Sequence, residues 1–241
     1  FQNKYPHAKG FGSLEEALYD NLFDGFIVAT PAETHYALAK KIIEAGKSLL
    51  VEKPLTLKIS DAEELVSLSH EKNISLMVGH VLLFHSAIMK IKEIIESGKI
   101  GKLQYIYSNR LNLGQVRTEE NVFWSLAPHD ISIFQYLING NPSSIQSTGS
   151  SFIQPGIQDS TLTHIKYDND VEGHIFVSWL HPFKEHRLVV VGSEAMVSFE
   201  DSKEDKPLKL YSKKFDLTNG VPEKVDGPVE LVEYEKIMPL S

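Results

Sequence analysis

Two short apolar runs, DGFIVATP at residues 24–31 and SLLVEKP at residues 48–54, decide the fold of this chain. Between them lies an amphipathic stretch whose last apolar residues are followed by Gly46. A strand, a crossover helix and a parallel strand give this order of patterns, so the segment predicts a β–α–β unit. Ligands of open parallel sheets bind outside the carboxyl ends of the strands. The residues expected at that edge are Thr30, Pro31, Glu52 and Lys53.

The start of the crossover helix is marked by a capping pattern. Thr30 can cap the helix, Pro31 suits its first position, and Glu33 completes a T-x-x-E capping box. Gly46 is a C-terminal stop signal. His35 falls in the first turns of this helix, so we expect it near the same end of the sheet.

A lysine ends the second apolar run. Lys53 precedes Pro54, and the proline ring disfavours a helical conformation in the residue before it. A cation held on a stiff strand end suits catalysis or substrate orientation. The spacing alone favours this interpretation no more than that of a surface lysine before a proline.

The pattern along the chain changes near residue 82. Before it, helix and strand signals alternate up to a third buried strand at residues 74–79, which predicts a parallel sheet. After it, an amphipathic helix ends at Gly98, a long strand covers Leu103–Leu113, a short helix covers Pro128–Leu137, and several strands then follow one another. We predict an incomplete α/β Rossmann-type parallel sheet over 1–82 and an α+β domain with a large, mostly antiparallel open sheet over 83–241. From Lys213 onward we expect a polar tail.

Composition narrows the possible partners. The 241 residues carry a net charge of -8 without a long basic run, which argues against nucleic acid or an anionic membrane surface. No apolar stretch reaches membrane-spanning length. The chain has no cysteine, which excludes disulfides and thiolate metal sites and fits a cytoplasmic location. Its ten histidines form no compact ligand motif, so we predict no metal site.

A second group of polar residues lies in the predicted second domain. His129, in the segment LAPHD, begins the predicted short helix, and histidine suits proton transfer near neutral pH. A histidine satisfied in the core is the alternative. Polar groups alternate along the strand end that leads to this segment, at Arg110, Asn112, Gln115 and Arg117. Arginine suits a carboxylate or a phosphate. Another polar cluster contains His181 and Lys184.

Taken together, these motifs resemble those of the Gfo/Idh/MocA family of nicotinamide-dependent sugar oxidoreductases. The matching segments are IVATP at 27–31 with His35 after it, VEKP at 51–54, the Gly79-His80 strand end and LAPHD at 126–130. Their order and separation match as well, and the resemblance covers essentially the whole chain. The segments RLNLG at 110–114 and SWLHPFK at 178–184 look closest to members that act on nucleotide-linked sugars.

The resemblance implies an oxidoreductase that moves a hydride between a secondary alcohol of a sugar, such as a nucleotide-linked hexose, and NAD or NADP. It implies that Lys53 touches both the nicotinamide end and a substrate hydroxyl, and that His129 is the acid/base. The cofactor-binding residues implied are Thr30, Pro31, His35, Glu52, Lys53 and His80. The substrate-binding residues implied are Arg110, Asn112, Arg117, His181 and Lys184.

The chain departs from the family pattern in two places. Many members have an aspartate one helical turn before the motif histidine, and Ser125 stands there. Family members also begin with a G-x-G-x-x-G turn, which this sequence lacks, so we expect an internal portion of a longer protein.

Two other functions stay open at this point. One is a non-catalytic regulator that binds a nucleotide or sugar on the same fold, and the other is an aldose–aldose or imine reductase with the same cofactor. We also expect a homo-oligomer formed through the second sheet, because two predicted helices are too few to cover both of its faces.

Overall fold

The chain forms two compact units in a computed structural model that describes residues 4–20, 22–118, 120–218 and 220–235. The first unit ends at His80 and the second begins at Val81, two residues before the predicted boundary.

The first unit is a three-stranded parallel sheet with one helix before its first strand and one helix between each pair of successive strands. Its strands are β1 (Gly25–Val28), β2 (Ser48–Val51) and β3 (Leu76–Val78), in the spatial order β1–β2–β3. Its helices are α1 (Leu14–Tyr19), α2 (Ala32–Glu44) and α3 (Ile59–Glu71). On α2, Ala39, Ile42 and Ile43 share one face and pack into a core with Leu49 and Val51 of β2. This parallel arrangement confirms the predicted β–α–β unit.

The second unit contains an eight-stranded sheet. Its strands are β4 (Leu103–Leu113), β5 (Pro142–Ser150), β6 (Ser160–Tyr167), β7 (Glu172–Ser178), β8 (Leu180–Gly192), β9 (Met196–Glu200), β10 (Leu208–Thr218) and β11 (Val221–Leu231). Their spatial order is β11–β10–β9–β8–β4–β7–β6–β5. Within this sheet β4 and β7 pair in parallel, and the other neighbours pair antiparallel. The predicted fold class is confirmed.

Two helices pack on one face of this sheet. They are α4 (Ser86–Glu96), preceded by a 3₁₀ turn at Val81–Phe84, and α5 (Val122–Ile138). Side chains alternate along β4, so Ile106 is buried on the helix side while Tyr105 and Tyr107 project from the other side and stay half-buried. The face that carries these tyrosines is called the open face below.

The helix that carries His129 begins earlier than predicted. Asn121 caps α5 by accepting a hydrogen bond from the Trp124 N–H at 3.1 Å, so Pro128 lies inside the helix instead of at its start. The prediction used Pro128 as a start signal and overlooked the stronger asparagine cap. His129 is therefore a mid-helix residue.

The predicted polar tail is wrong over much of its length. Strand β10 continues to Thr218 and pairs with β11, which forms one edge of the sheet. Pro222 is tolerated there because an edge strand need not donate a hydrogen bond on its outer side. A Cβ on Gly227 would lie 2.2 Å from the Ser212 carbonyl oxygen, so the close pairing at the bulge in β11 requires glycine. The last residues of the predicted tail, 236–241, lie outside the described residues.

The predicted capping box at the start of α2 does not form. Pro31 is the N-cap of α2, and the Thr30 hydroxyl lies 2.6 Å from that of Thr34 instead. Lys58 is the N-cap of α3, without a side-chain hydrogen bond. Helix α1 has a side-chain cap, because the Ser13 hydroxyl accepts the Glu16 N–H at 3.2 Å. Of the helices in the described part of the chain, none combines the length and apolarity needed to cross a membrane.

Candidate active site

The carboxyl ends of the three parallel strands lie side by side in the first unit. The Glu52 N–H donates to the Val28 carbonyl at 2.9 Å, and the Gly79 N–H donates to the Val51 carbonyl at 2.8 Å. Backbone hydrogen bonding between the strands thus continues for one residue beyond the ends of β2 and β3. It brings together the loops that begin at Thr30, Lys53 and His80, as the strand order predicts.

His35 holds two of these loops together. Its ring is 1% exposed, with Nδ1 2.8 Å from the Pro54 carbonyl oxygen and Nε2 2.8 Å from the Thr30 carbonyl oxygen. The two ring nitrogens therefore face carbonyl oxygens of two different loops. His35 is thus buried between the loop after β1 and the loop after β2 and contacts both. We call this arrangement the His35 clamp.

Three further residues follow the carboxyl ends of β2 and β3: Glu52, Lys53 and His80. A Cβ on Gly79 would lie 3.1 Å from a Glu52 carboxylate oxygen, so a glycine lets that carboxylate rest over the end of β3. The Lys53 N–H donates to the same carboxylate at 3.3 Å. Burial, and then the charge of Lys53, lower the pKa of His80. The buried His80 Nδ1 has no hydrogen-bond partner within the described ranges, and such a buried atom calls for a ligand or water.

In the second unit, α5 and β4 are joined next to His129. His129 itself is half-buried, and its carbonyl oxygen accepts a hydrogen bond from the Ser132 hydroxyl at 2.8 Å. The carboxylate of the following residue, Asp130, accepts from Arg110 Nε at 2.9 Å and from Arg110 Nη2 at 3.1 Å. Burial lowers the pKa of Arg110, but the charge and hydrogen bonds of Asp130 outweigh it and the net shift is upward.

This geometry disagrees with the expected role of Arg110. Its guanidinium is committed to Asp130 in a two-pronged ion pair, and the two side chains are only 11% and 4% exposed. The sequence suggested a substrate contact because an arginine preceded a polar strand end. Nothing in the pattern indicated that Asp130, on a distant helix, would take the guanidinium.

A bulge gathers the remaining polar residues of the second unit. On β4 and β8, Leu111 pairs with Glu185 and Leu113 pairs with Leu180, so residues 181–184 loop out opposite Asn112. The Asn112 Oδ1 is buried and accepts no hydrogen bond from the described part of the chain. His181 Nδ1 lies 2.9 Å from the Phe183 carbonyl oxygen. Lys184 is exposed at the end of the bulge, close enough for its charge to lower the pKa of His186.

Arg117 lies beyond this bulge in the loop after β4. It is largely exposed, and its Nε lies 3.3 Å from a Glu120 carboxylate oxygen. Its carbonyl oxygen accepts a hydrogen bond from the Gln154 amide at 2.5 Å. The loop that contains Gln154 is held by Asp159, a fully buried residue that the sequence did not single out. The Asp159 carboxylate accepts the N–H groups of Phe152 and Ile153 at 2.7 and 2.8 Å.

Two family models cover most of both units. The model described as "Oxidoreductase family, NAD-binding Rossmann fold" matches residues 2–80, and the GFO/IDH/MocA C-terminal domain model matches residues 88–198. The chain belongs to the Gfo/Idh/MocA family. The predicted resemblance is therefore confirmed, in both domains and in the same order.

Relatives within the Gfo/Idh/MocA family include sugar and inositol dehydrogenases. The chain is 28% identical over 193 residues to the scyllo-inositol 2-dehydrogenase (NAD(+)) of Bacillus subtilis (strain 168), covering 76% of this chain and 56% of that protein. It is 23% identical over 232 residues to the UDP-N-acetylglucosamine 3-dehydrogenase of Acidithiobacillus ferrooxidans, covering 95% and 71%. The chain thus spans little more than half the length of the first of these curated relatives.

Solved structures share the fold. The UDP-N-acetylglucosamine 3-dehydrogenase GnnA from Acidithiobacillus ferrooxidans superimposes with a TM-score of 0.82 at 22% identity, over 97% of this chain and 71% of that one. The WlbA dehydrogenase from Bordetella pertussis, in complex with NADH and UDP-GlcNAcA, gives 0.73 at 20% identity, over 81% and 60%.

Proposed function

We propose that the protein containing this chain is an oxidoreductase that moves a hydride between a secondary alcohol of a sugar and NAD or NADP. The observation that carries the proposal is the carboxyl edge of the first sheet. There Glu52, Lys53 and the unsatisfied ring nitrogen of His80 meet, in a chain that belongs to a family of oxidoreductases.

The residues at this edge fit a nicotinamide cofactor. Helix α2 begins directly after Pro31, and the first N–H groups of a helix favour anionic or polar ligand atoms. The buried His80 Nδ1 offers a hydrogen-bonding group to the same ligand. Thr30, Pro31, Glu52, Lys53 and His80 would hold the cofactor, whereas His35 would act from below through the loops that it clamps. When bound, the cofactor supplies the carbon that accepts or returns the hydride.

The chain's own groups orient the substrate and move its proton. Lys53 polarises the reacting hydroxyl, and His129 accepts the hydroxyl proton during oxidation and returns it during reduction. A positioned general base contributes about 10²–10⁴-fold to such a step. Ser125, where many members have an aspartate, is too weak a base to replace His129 at neutral pH.

The substrate that we propose is a nucleotide-linked hexose. Relatives named for UDP-linked sugars support this class, and so does the chemistry of the second unit. The cations of Arg117 and Lys184 suit the negative charges of such a substrate, while Asn112 and His181 offer hydrogen bonds to its hydroxyl groups. The buried, unsatisfied Asn112 Oδ1 is the most specific of these features.

Turnover distinguishes the enzyme from the alternative, a non-catalytic regulator on the same fold. The full-length protein would be incubated with NAD or NADP and a panel of UDP-linked hexoses, and reduced nicotinamide would be followed by its absorbance. We expect substrate-dependent formation of reduced cofactor. Binding of both ligands in calorimetry without any turnover would favour the regulator.

We further propose that the protein forms a homo-oligomer through the open face. Tyr105, Tyr107 and Val189 project there in neighbouring strands, and Leu162 is 45% exposed in β6. A wide, partly apolar sheet face favours association. A cytoplasmic location stays a prediction.

A further inference from the structure

A buried, bidentate ion pair links Arg110 to Asp130. It joins the middle of β4 to α5 at the position next to His129, through two nearly parallel hydrogen bonds of 2.9 and 3.1 Å. Isolating two charges from water costs about as much as their attraction returns, so a buried pair adds little net stability. A planar guanidinium facing a carboxylate nevertheless accepts only one relative orientation. The pair therefore fixes the orientation of α5 relative to β4 more than it increases the free energy of unfolding.

Three titratable groups lie around this pair in a small cavity: His186, Asp201 and His85. His186 Nδ1 lies 3.5 Å from Arg110 Nη1. Burial, followed by the charges of Arg110 and Lys184, lowers the pKa of His186 to about 4, so it stays neutral. Burial raises the pKa of Asp201, but its ion pair with Lys206 outweighs this and keeps it ionised. Burial also lowers the pKa of His85, which lines a small cavity together with Arg110, Asp130 and His186.

Helix α5 needs an anchor at this point. Pro128 lacks an N–H and cannot donate to the carbonyl of Trp124, four residues earlier, so the turn before His129 is short of one backbone hydrogen bond. Successive helical residues are about 100° apart around the axis. The side chain of Asp130 faces β4, and fixing its direction fixes that of His129 as well.

We propose that Arg110 and Asp130 are positioning residues that set the orientation of the α5 turn carrying His129. This inference rests on the proposed function, in which His129 moves the substrate proton. In this proposal Arg110 does not contact the substrate. It orients His129 through Asp130, within the second unit. Misplacing a proton-transfer group by about 1 Å costs roughly 10²-fold in rate.

The test replaces both charges in the full-length protein by apolar residues of similar length, Arg110→Met with Asp130→Leu. We expect a thermal midpoint within a few degrees of wild type, because apolar replacement of a buried pair is close to neutral. The dissociation constants of cofactor and substrate should change by less than about 3-fold, whereas kcat should fall by roughly 10-fold or more. Arg110→Lys keeps the positive charge but loses the planar guanidinium. Its kcat should lie between that of wild type and that of the double variant.

Gln135→Ala is the matched control. Gln135 lies at the far end of the same helix, is exposed, and donates to the Gly140 carbonyl at 3.0 Å. Its kcat should equal that of wild type. Wild-type kcat in the double variant would overturn the proposal. A loss of kcat matched by equal losses of ligand binding and thermal midpoint would also overturn it, since a purely structural role predicts that pattern.

A second readout keeps the proposal testable if the protein shows no turnover, an outcome that would defeat the proposed function but not this inference. The ring resonances of histidine-labelled protein report the surroundings of His129 directly, and His129→Asn assigns its signal. The double variant should shift or broaden that signal, while Gln135→Ala should leave it in place. An unchanged His129 signal in the double variant would overturn the proposal on its own.

Discussion

His35 is the residue on which the ligand edge of the first unit depends. A fully buried ring joins the carbonyl groups of Thr30 and Pro54, which belong to two loops separated by a whole helix and strand. The sequence located this histidine near the edge but assigned it a direct cofactor contact. The side-chain direction, set by the first turn of α2, decides between contact and support, and helical periodicity alone does not give it.

Removing the His35 ring should loosen both loops. In His35→Ala a buried ring and its contacts with both carbonyl oxygens are lost, so we expect a loss of about 2–4 kcal/mol in the free energy of unfolding. Cofactor affinity should also fall. His70→Ala, at an exposed position on α3, is the control and should change neither quantity. Denaturant unfolding of both variants checks this, and equal midpoints would show that the clamp contributes nothing.

His186 should make stability depend on pH. Its folded-state pKa of about 4 lies below its usual value of about 6.5, so the unfolded chain takes up the proton first. Stability is then complete above about pH 6.5 and decreases as the pH falls toward 4. His186→Gln cannot be protonated and should flatten this slope in unfolding measured from pH 7 to 4. A slope identical to wild type would contradict the assignment.

At the scale of elements, α5 depends on its N-cap. Asn121 accepts the Trp124 N–H and also donates to the Gln158 side chain at 3.2 Å. Asn121→Ala should cost about 1 kcal/mol of unfolding free energy, and Asn121→Ser, which can still cap, should recover most of it. Thermal unfolding of the two variants compares them. An equal loss in both would mean that the contact with Gln158, and not the cap, is responsible.

Elements with a simple apolar period could be predicted, whereas those shaped by local exceptions could not. The bounds of β4 and β6 agree with their alternating patterns. The predicted amphipathic helix before Gly98 is α4, which buries Ile88, Ile91 and Ile94. Strand β11 was missed because its two prolines and a glycine signal a turn, and only its edge position makes them acceptable.

The positions of some candidate site residues could be predicted to a similar degree, while their roles stay predictions. Motif order placed Lys53, Glu52 and His80 at one edge, since parallel strands align their carboxyl ends. The ion pair of Asp130 with Arg110 could not be predicted because the two residues are 20 positions apart in sequence and on different elements. The role of Asp159, which accepts two backbone N–H groups of the loop before it, has no apolar or capping pattern to signal it.

At the scale of the whole molecule, the open face should hold copies of the protein together. Val189 lies near the middle of this face, between Tyr107 on β4 and Ser198 on β9. Val189→Lys places a charge where apolar surface would be buried, so the oligomer should dissociate. Met89→Lys, which adds the same charge at an exposed position on α4, is the control. Light scattering at micromolar concentration measures both, and a monomeric wild-type protein would contradict the proposed interface.

The central claim is that Lys53 and His129 act on a substrate hydroxyl during hydride transfer, and one comparison tests it most directly. The pH–rate profile of the full-length protein would be measured with a nucleotide-linked hexose for wild type, Lys53→Ala and His129→Asn, with cofactor affinity determined in parallel. Lys53→Ala should lower kcat far more than it weakens cofactor binding. His129→Asn should lower kcat by roughly 10²-fold or more at neutral pH, with a smaller loss at high pH where hydroxide takes the proton. A wild-type profile in either variant would remove that residue from the mechanism, and wild-type profiles in both would contradict the account.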